Sequence, residues 1–304
     1  MGRRTGEILL TLVVKGQEVT KTPEKVPLGV ENTERSPHLL LKKRRKTVPA
    51  SATKIIDSGS HRHSKTVVTD AADLSGLEAQ AQRWLEQYPQ LVGVCLNFNA
   101  HPGNVVFGQE TFCVAGRGYL QEEFAGLTLR LNPETFFQVN TEAAEALLRE
   151  IQGELNLQGH EILVDAYCGI GTLSLPLAQQ VQQVIGLEVQ ASAIAQAQQN
   201  SEFNQIKNIS FQAGTVETLL PNLDVKPDIV VLDPPRKGCD PRVIEALIEL
   251  QSQKLVYMSC KPATLARDLK LLCESGIYRL TRIQPADFFP QTSHVECAAF
   301  LVKN

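Results

Sequence analysis

The chain has 304 residues, 43% of them hydrophobic, which is enough apolar material for about two domains with a sizeable core. A net charge of −3 excludes a uniformly basic nucleic-acid glove. Seven scattered cysteines with no C-x-x-C pair exclude a disulfide framework and a zinc site, and lead us to expect no metal and a reducing, cytoplasmic setting.

No apolar run is long enough to span a membrane, so no membrane partner is expected. The basic start Met1-Gly2-Arg3-Arg4 is followed by apolar Ile8 to Val14, but Lys15-Gly16-Gln17-Glu18 offers no small-residue cleavage site. Glu7 to Val14 therefore reads as a strand. Residues 16 to 70 are rich in Lys, Arg, Ser, Thr and Pro and lack periodicity, which reads as a flexible insertion. Residues 1 to 66 hold about 14 Lys and Arg against about 6 Asp and Glu, with Lys42-Lys43-Arg44-Arg45-Lys46 at the centre. Such a stretch is either a solvated loop or a basic arm touching phosphates.

Order returns near Leu74. Leu77 to Tyr88 is spaced as an amphipathic helix. Leu91 to Asn97, Asn104 to Phe107, Glu110 to Ala115 and Leu127 to Leu131 read as strands, and Thr141 to Leu155 as a helix. From Glu161 the signals alternate. Strands are expected over Ile162–Ala166, Gln183–Glu188, Ile209–Ala213, Ile229–Asp233, Lys254–Ser259, Ile277–Pro285 and Val295–Val302. Helices are expected over Thr172–Gln179, Ser192–Asn204, Arg242–Leu250 and Leu265–Ser275, the last ended by Gly276. The alternation implies an open α/β sheet whose ligands sit beyond the carboxyl ends of its strands.

Those strand ends carry the chemistry. The first runs into Asp165-Ala166-Tyr167-Cys168-Gly169-Ile170-Gly171-Thr172, a turn whose glycines admit a ligand to the backbone. It is neither G-x-G-x-x-G nor a P-loop. The second ends at Glu188, where a carboxylate can take both ribose hydroxyls or simply face solvent. The third leads to Gly214-Thr215, and the fourth to Asp233-Pro234-Pro235-Arg236-Lys237-Gly238. Together they suit an adenosine joined to a cationic amino acid, that is, S-adenosyl-L-methionine. The fifth ends at Cys260, just before a helix with Pro262 in its first turn. The helix dipole and Lys261 both favour a thiolate there, although a buried structural cysteine fits the same position.

Several segments resemble the RNA uracil-5-methyltransferase family, which includes 23S rRNA and tRNA 5-methyluridine enzymes. They are Asp165 to Thr172, Leu232 to Gly238, Tyr257-Met258-Ser259-Cys260, Asp287-Phe288-Phe289-Pro290-Gln291-Thr292-Ser293-His294-Val295-Glu296 and Phe136-Phe137-Gln138-Val139-Asn140. The resemblance covers about residues 72 to 304 in the family's order and is nearest to the 23S rRNA members. It implies an α/β fold with a Rossmann-like S-adenosylmethionine-dependent methyltransferase domain over 126–304. A smaller, truncated α+β RNA-binding domain would precede it over 1–125, carrying the insertion at about 16–70. It also implies cofactor contacts at Gln138, Tyr167, Glu188 and Asp233, with Gly169, Gly171, Thr172 and Thr215 beside them. The nucleophile falls on Cys260 and the base on Glu296.

The chemistry needs that pair. Carbon 5 of uracil is a poor nucleophile until a thiolate adds to carbon 6, and a carboxylate must then remove the carbon-5 proton. A base that must leave its stack is easiest to take from an RNA loop, so a loop uridine of rRNA or tRNA is the expected partner of a monomeric enzyme. Phe288 and Phe289 are candidates for stacking on that base, or for ordinary packing. His294 reads as a loop-holding residue, and Cys297 as a core cysteine on the opposite strand face. Arg236 stands where base N-methyltransferases carry an aromatic residue, and no cysteine follows Asp233 as it would in cytosine-5 enzymes. The alternatives are a tRNA rather than rRNA enzyme, and a non-catalytic RNA-binding remnant. The family's N-terminal β-barrel and iron–sulfur cysteines are not visible, and Lys261 stands in place of its usual asparagine.

Overall fold

The computed structural model describes residues 2, 4–15, 54–55, 67–70, 76–100, 106–108 and 110–304. The chain divides into two compact units, Met1–Glu123 with Arg130–Thr135, and Phe124–Leu129 with Phe136–Asn304.

The first unit is built on a five-stranded sheet of β1 (Ile8–Lys15), β2 (Lys54–Ile55), β3 (Val67–Asp70), β4 (Leu91–Asn99) and β5 (Glu110–Gly116), in the order β2-β3-β1-β4-β5. β1 runs parallel to β3 and β4, while β2 and β5 close the edges antiparallel. Helix α1 (Leu77–Gln87) turns its apolar face inward, so Ala81, Trp84 and Leu85 pack with Leu12, Val14, Val94 and Leu96. Two strands thus lie inside the segment read as irregular. The remainder of that segment, including Lys42 to Lys46, lies outside the described residues, as does Leu74.

Of the expected strand at 104–107, Asn104 and Val105 lie outside the described residues, and Val106 and Phe107 are irregular rather than extended in a ladder. Asparagine side chains take the place of a ladder there. Buried Asn97 accepts from Gly108 N at 2.6 Å and donates to Gly108 O and Glu110 O, while Asn99 donates to Val106 O. A hairpin of β6 (Leu120–Phe124) and β7 (Leu127–Leu131) follows. β6 carries two glutamates in five residues, which hid it from the hydrophobic pattern.

The second unit holds a seven-stranded sheet of β8 (Ile162–Ala166), β9 (Gln183–Glu188), β10 (Ile209–Ala213), β11 (Ile229–Leu232), β12 (Lys254–Ser259), β13 (Tyr278–Ala286) and β14 (Glu296–Lys303). Its order is β10-β9-β8-β11-β12-β14-β13. The first five run parallel, and β14 and β13 are antiparallel additions. The order reverses between β8 and β11, where ligands of such sheets bind. Parallel strands buried on both faces need continuous apolar runs, and β11 (Ile-Val-Val-Leu) is buried throughout. The helices are α2 (Thr141–Leu155), α3 (Ser174–Ala178), α4 (Ala191–Phe203), α5 (Val216–Leu219), α6 (Pro241–Leu250) and α7 (Pro262–Glu274).

Local chemistry sets the helix ends. Asn140 caps α2 through Ala143 N, Asp240 caps α6 through Arg242 N, and proline occupies the first turn of α6 and α7. The helix expected over Thr172–Gln179 shrinks to Ser174–Ala178, because the glycine turn continues to Leu173. Gly186 on β9 has a packing reason: a Cβ there would lie 2.6 Å from the Phe211 ring and 2.8 Å from Cys168 Sγ. No helix among the described residues is long and apolar enough to cross a membrane.

Leu163 of β8 is fully buried at the centre of this sheet. Leu163→Ala should cost about 2–5 kcal/mol, read from the midpoint of a urea or guanidinium unfolding curve, with the larger value where the cavity cannot collapse.

Candidate active site

The ladder registers bring the carboxyl ends of five strands to one edge. Ala166 pairs with Leu187 and Leu232, Glu188 with Ala213, and Leu232 with Tyr257. Backbone hydrogen bonds carry the alignment past the strands: Tyr167 N and Cys168 N donate to Leu187 O, Asp233 N to Ala166 O, and Gly214 N to Glu188 O. The turn after β8 is tight, with Gly169 and Gly171 at positive φ and Tyr167 at φ 71, a conformation that costs a side-chain-bearing residue and recurs at functional sites.

Glu188 is held by that turn. Its Oε2 accepts from Gly169 N at 3.2 Å and its Oε1 from Gln190 N at 2.9 Å, so both oxygens are oriented before any ligand arrives. Asp165 lies beneath them, 1% exposed. Ser174 Oγ donates to its Oδ2 at 2.5 Å, and its Oδ1 has no hydrogen-bond partner. Burial, with Asp233 and Glu188 nearby, pushes its pKa up to about 7. Burial likewise raises Asp233 to about 6. Three carboxylates thus crowd one edge, one with an orphaned oxygen. That donor set fits a cationic ligand carrying hydroxyls, such as S-adenosylmethionine, and disfavours a phosphate.

The remaining expected contacts are placed unevenly. Thr172 sits in the glycine turn, and Thr215 precedes α5 with its hydroxyl 3.0 Å from that of Thr218. Tyr167 directs its side chain towards Cys239, and burial beside that thiol raises its pKa. Gln138 lies half-buried in the irregular segment before α2, and no hydrogen bond among the described residues joins it to the sheet edge.

Cys260 and Glu296 meet through the one antiparallel neighbour of β12. Ser259 pairs with Cys297, so one further step sets Cys260 across from Glu296. Both are half-buried. Burial and Asp233 raise Glu296 to about 7, and Arg236 opposes the rise. The Cys260 thiol is raised by burial first and then by Glu296, whereas hydrogen bonding and charge from Arg236 lower it. The expected bias towards thiolate is therefore corrected: the net shift is upward, and the cation acting on the sulfur is Arg236 rather than Lys261. Lys261 instead serves α7, its backbone N–H and C=O bonding Ser259 Oγ and its carbonyl accepting from Thr264 N.

Among the flanking residues, Phe288 is 2% exposed and belongs to the core, which removes it as a stacking surface, while Phe289 is half-buried with its ring 5.9 Å from exposed His294. Cys297 is buried. The sequence reading left out Asp165 as a site carboxylate and gave Arg236 only a negative role. The adjacency of Asp165 to the glycine turn, and of Arg236 to Asp233, were the available signals. Among the described residues no cluster of three or more His, Cys, Asp or Glu could hold a metal ion.

The sequence pattern of the tRNA (Uracil-5-)-methyltransferase family matches residues 109–304. The chain belongs to this family. It is 61% identical over 237 residues to an uncharacterized RNA methyltransferase of Nostoc sp., covering 78% of this chain and 52% of that protein. It is 54% identical over 236 residues to another from Synechocystis sp., covering 78% and 51%. The chain thus spans about half the length of the curated relatives it matches. Its structure resembles that of the Pyrococcus abyssi tRNA (uracil-54, C5)-methyltransferase in complex with S-adenosyl-L-homocysteine. The two share 31% identity with a TM-score of 0.60, over 71% of this chain and 52% of that one. The M. jannaschii tRNA m1G37 methyltransferase shares the fold alone, at 14% identity and a TM-score of 0.51, covering 78% and 71%. The seven-stranded unit of this family member is accordingly a Rossmann-like methyltransferase fold, as its order and alternation led us to expect.

Burial raises the Cys260 thiol most and the Glu296 charge adds to the rise, so removing that charge should ease deprotonation without abolishing the upward shift. Glu296→Gln should lower the Cys260 pKa and speed its alkylation by iodoacetamide at neutral pH, followed by peptide mass spectrometry across a pH series. A slower or unchanged rate would contradict the electrostatic coupling.

Proposed function

We propose that the chain methylates carbon 5 of a uridine in RNA, with S-adenosyl-L-methionine as donor, Cys260 as nucleophile and Glu296 as general base. The observation that carries this reading is the juxtaposition of a half-buried cysteine and a carboxylate at the same sheet edge as Asp165, Glu188 and Asp233. The family and the likeness to a uracil-54, C5 enzyme support it.

Glu188 would hold the ribose hydroxyls, with Asp233, Asp165 and the Tyr167–Thr172 turn around the adenosine and the cationic end. When bound there, the cofactor supplies an electrophilic methyl group. Cys260, once its proton has passed to solvent and with Arg236 favouring the thiolate, adds to carbon 6 of the uracil and makes carbon 5 nucleophilic. Glu296, poised near neutrality, accepts the carbon-5 proton once that carbon carries the methyl group, and the sulfur then leaves carbon 6. Phe289 is placed to line the pocket of a flipped base. We further propose that the first unit contacts RNA, that 23S rRNA is the substrate and that the enzyme works in the cytoplasm as a monomer. The uracil-54 specificity of the P. abyssi relative favours tRNA as the second reading.

In the presence of S-adenosylmethionine, RNA containing 5-fluorouracil should form a denaturation-resistant protein–RNA complex, because fluorine at carbon 5 cannot leave as a proton. Gel electrophoresis should show the complex with the 304-residue chain and lose it in Cys260→Ala. No complex with either 23S rRNA or tRNA would remove the enzymatic reading.

The carboxylates also set a pH dependence. A cation binds better to ionised carboxylates, and Asp233 and Asp165 titrate near about 6 and about 7. Affinity for S-adenosylmethionine, measured by calorimetry, should rise with pH through this window and level off above it. Glu188→Gln should weaken binding at every pH.

A further inference from the structure

A second charged constellation lies behind the Cys260 edge, on α7. Asp268 is 1% exposed. Its Oδ2 accepts from Tyr257 Oη at 2.6 Å and from Cys239 N at 2.9 Å, and its Oδ1 accepts from Arg267 Nε at 2.8 Å. The Arg267 fork continues outward, donating to Lys237 O at 3.0 Å and to Cys239 O at 3.4 Å. One turn earlier, Thr264 Oγ1 donates to Arg236 O at 3.3 Å. Gly238 sits at φ 77 between these groups, where a Cβ would lie 2.5 Å from Asp268 Oδ2 and 2.6 Å from Arg267 Nη2.

These contacts join the two elements that must stay in register for a reaction at Cys260. Tyr257 lies on β12, three residues before the cysteine. Residues 236–239 form the loop that carries Arg236, whose hydrogen bonding and charge favour the Cys260 thiolate. We infer that the Arg267–Asp268 pair is a positioning device: it clamps the 236–239 loop to β12 and α7 so that Arg236 stands over Cys260. Neither residue touches the reacting atoms. Each acts through Arg236, an exposed residue that an unclamped loop would no longer hold near the thiol.

The inference rests on Cys260 being the nucleophile and deepens that reading, and its readout is thiol reactivity rather than methyl transfer. Asp268→Asn keeps an acceptor for Tyr257 and Cys239 but sets an amide NH₂ against Arg267. Arg267→Lys keeps the charge and loses the planar fork that spans the carboxylate and two carbonyls. Arg267 is half-exposed, so its variant should fold even where the buried one does not.

In both, the pH profile of Cys260 alkylation by iodoacetamide should move to higher pH, with the rate near pH ~7.5 falling about three-fold or more. Charge alone gives a different sign: loss of the Asp268 carboxylate would pull a thiol pKa down, and Arg267→Lys would leave it in place. A profile that stays put or moves down overturns the inference, as does a lowered melting temperature with an unshifted profile. A shifted profile in a chain that forms no adduct with RNA would retain the clamp and overturn the proposed function instead.

Discussion

β14 runs against its neighbour β12, and that pairing sets Ser259 opposite Cys297. Had β14 been parallel like the five strands before it, its first residue would lie at the far edge, about 25 Å away for a strand of eight residues. Antiparallel, it delivers Glu296 to the edge where β12 delivers Cys260. The other ladders act similarly: each registers one strand end to the next, so that Glu188 and Asp233 reach the same rim as the glycine turn. Glu188, Asp233, Cys260 and Glu296 are far apart in sequence, and the sheet register brings them to one rim.

Crowding carboxylates at that rim works against folding. Asp165, Asp233 and Glu296 all have folded-state pKa values above their ordinary range. A group raised on folding contributes stability that is intact below its unfolded pKa and is lost as pH rises through the folded value, here about 6 to about 7. The cause of the rise is burial first, with like charge adding to it at Asp165 and Glu296, and a cation at the rim would stabilise the ionised forms. The half-made hydrogen bonding of Asp165 belongs to the same account, since one oxygen is satisfied by Ser174 and the other faces no donor. Stability held back at a functional edge is the usual trade between rigidity and activity.

The alternation of apolar runs and capped helices in residues 161–304 is enough to place every strand of the seven-stranded sheet within a residue or two, most plainly β8, β9, β11 and β12, whose buried parallel runs are rich in Val, Ile and Leu. Cys260 stands out in the sequence as a strand-end cysteine before a helix with proline in its first turn, whereas Glu296 is singled out only by its neighbours' resemblance to known segments, since a lone glutamate carries no spacing signal. Short elements escaped. β6 holds as many glutamates as apolar residues, α5 has four residues, and Asn97 and Asn99 at the end of β4 bond the backbone of residues 106–108 in a way no hydropathy pattern reveals. The electrostatics of Cys260 were misjudged for a related reason. Lys261 is next in sequence, but Arg236, far away in the chain, is next in space.

The division of the chain between its units has a practical reach. The path leaves the first unit at Phe124, returns at Arg130 and leaves again at Phe136, so the boundary is crossed three times in twelve residues. Phe124 is fully buried and its ring meets Phe137 edge-on at 5.9 Å. Ala125 N and Thr128 N are anchored to Glu145 and Asn204. A single scission cannot dissect such a chain cleanly. Any fragment meant to carry the methyltransferase sheet by itself must begin at or before residue 124 to keep these anchors, whereas a fragment begun at 136 forfeits an aromatic plug and two anchored backbone amides.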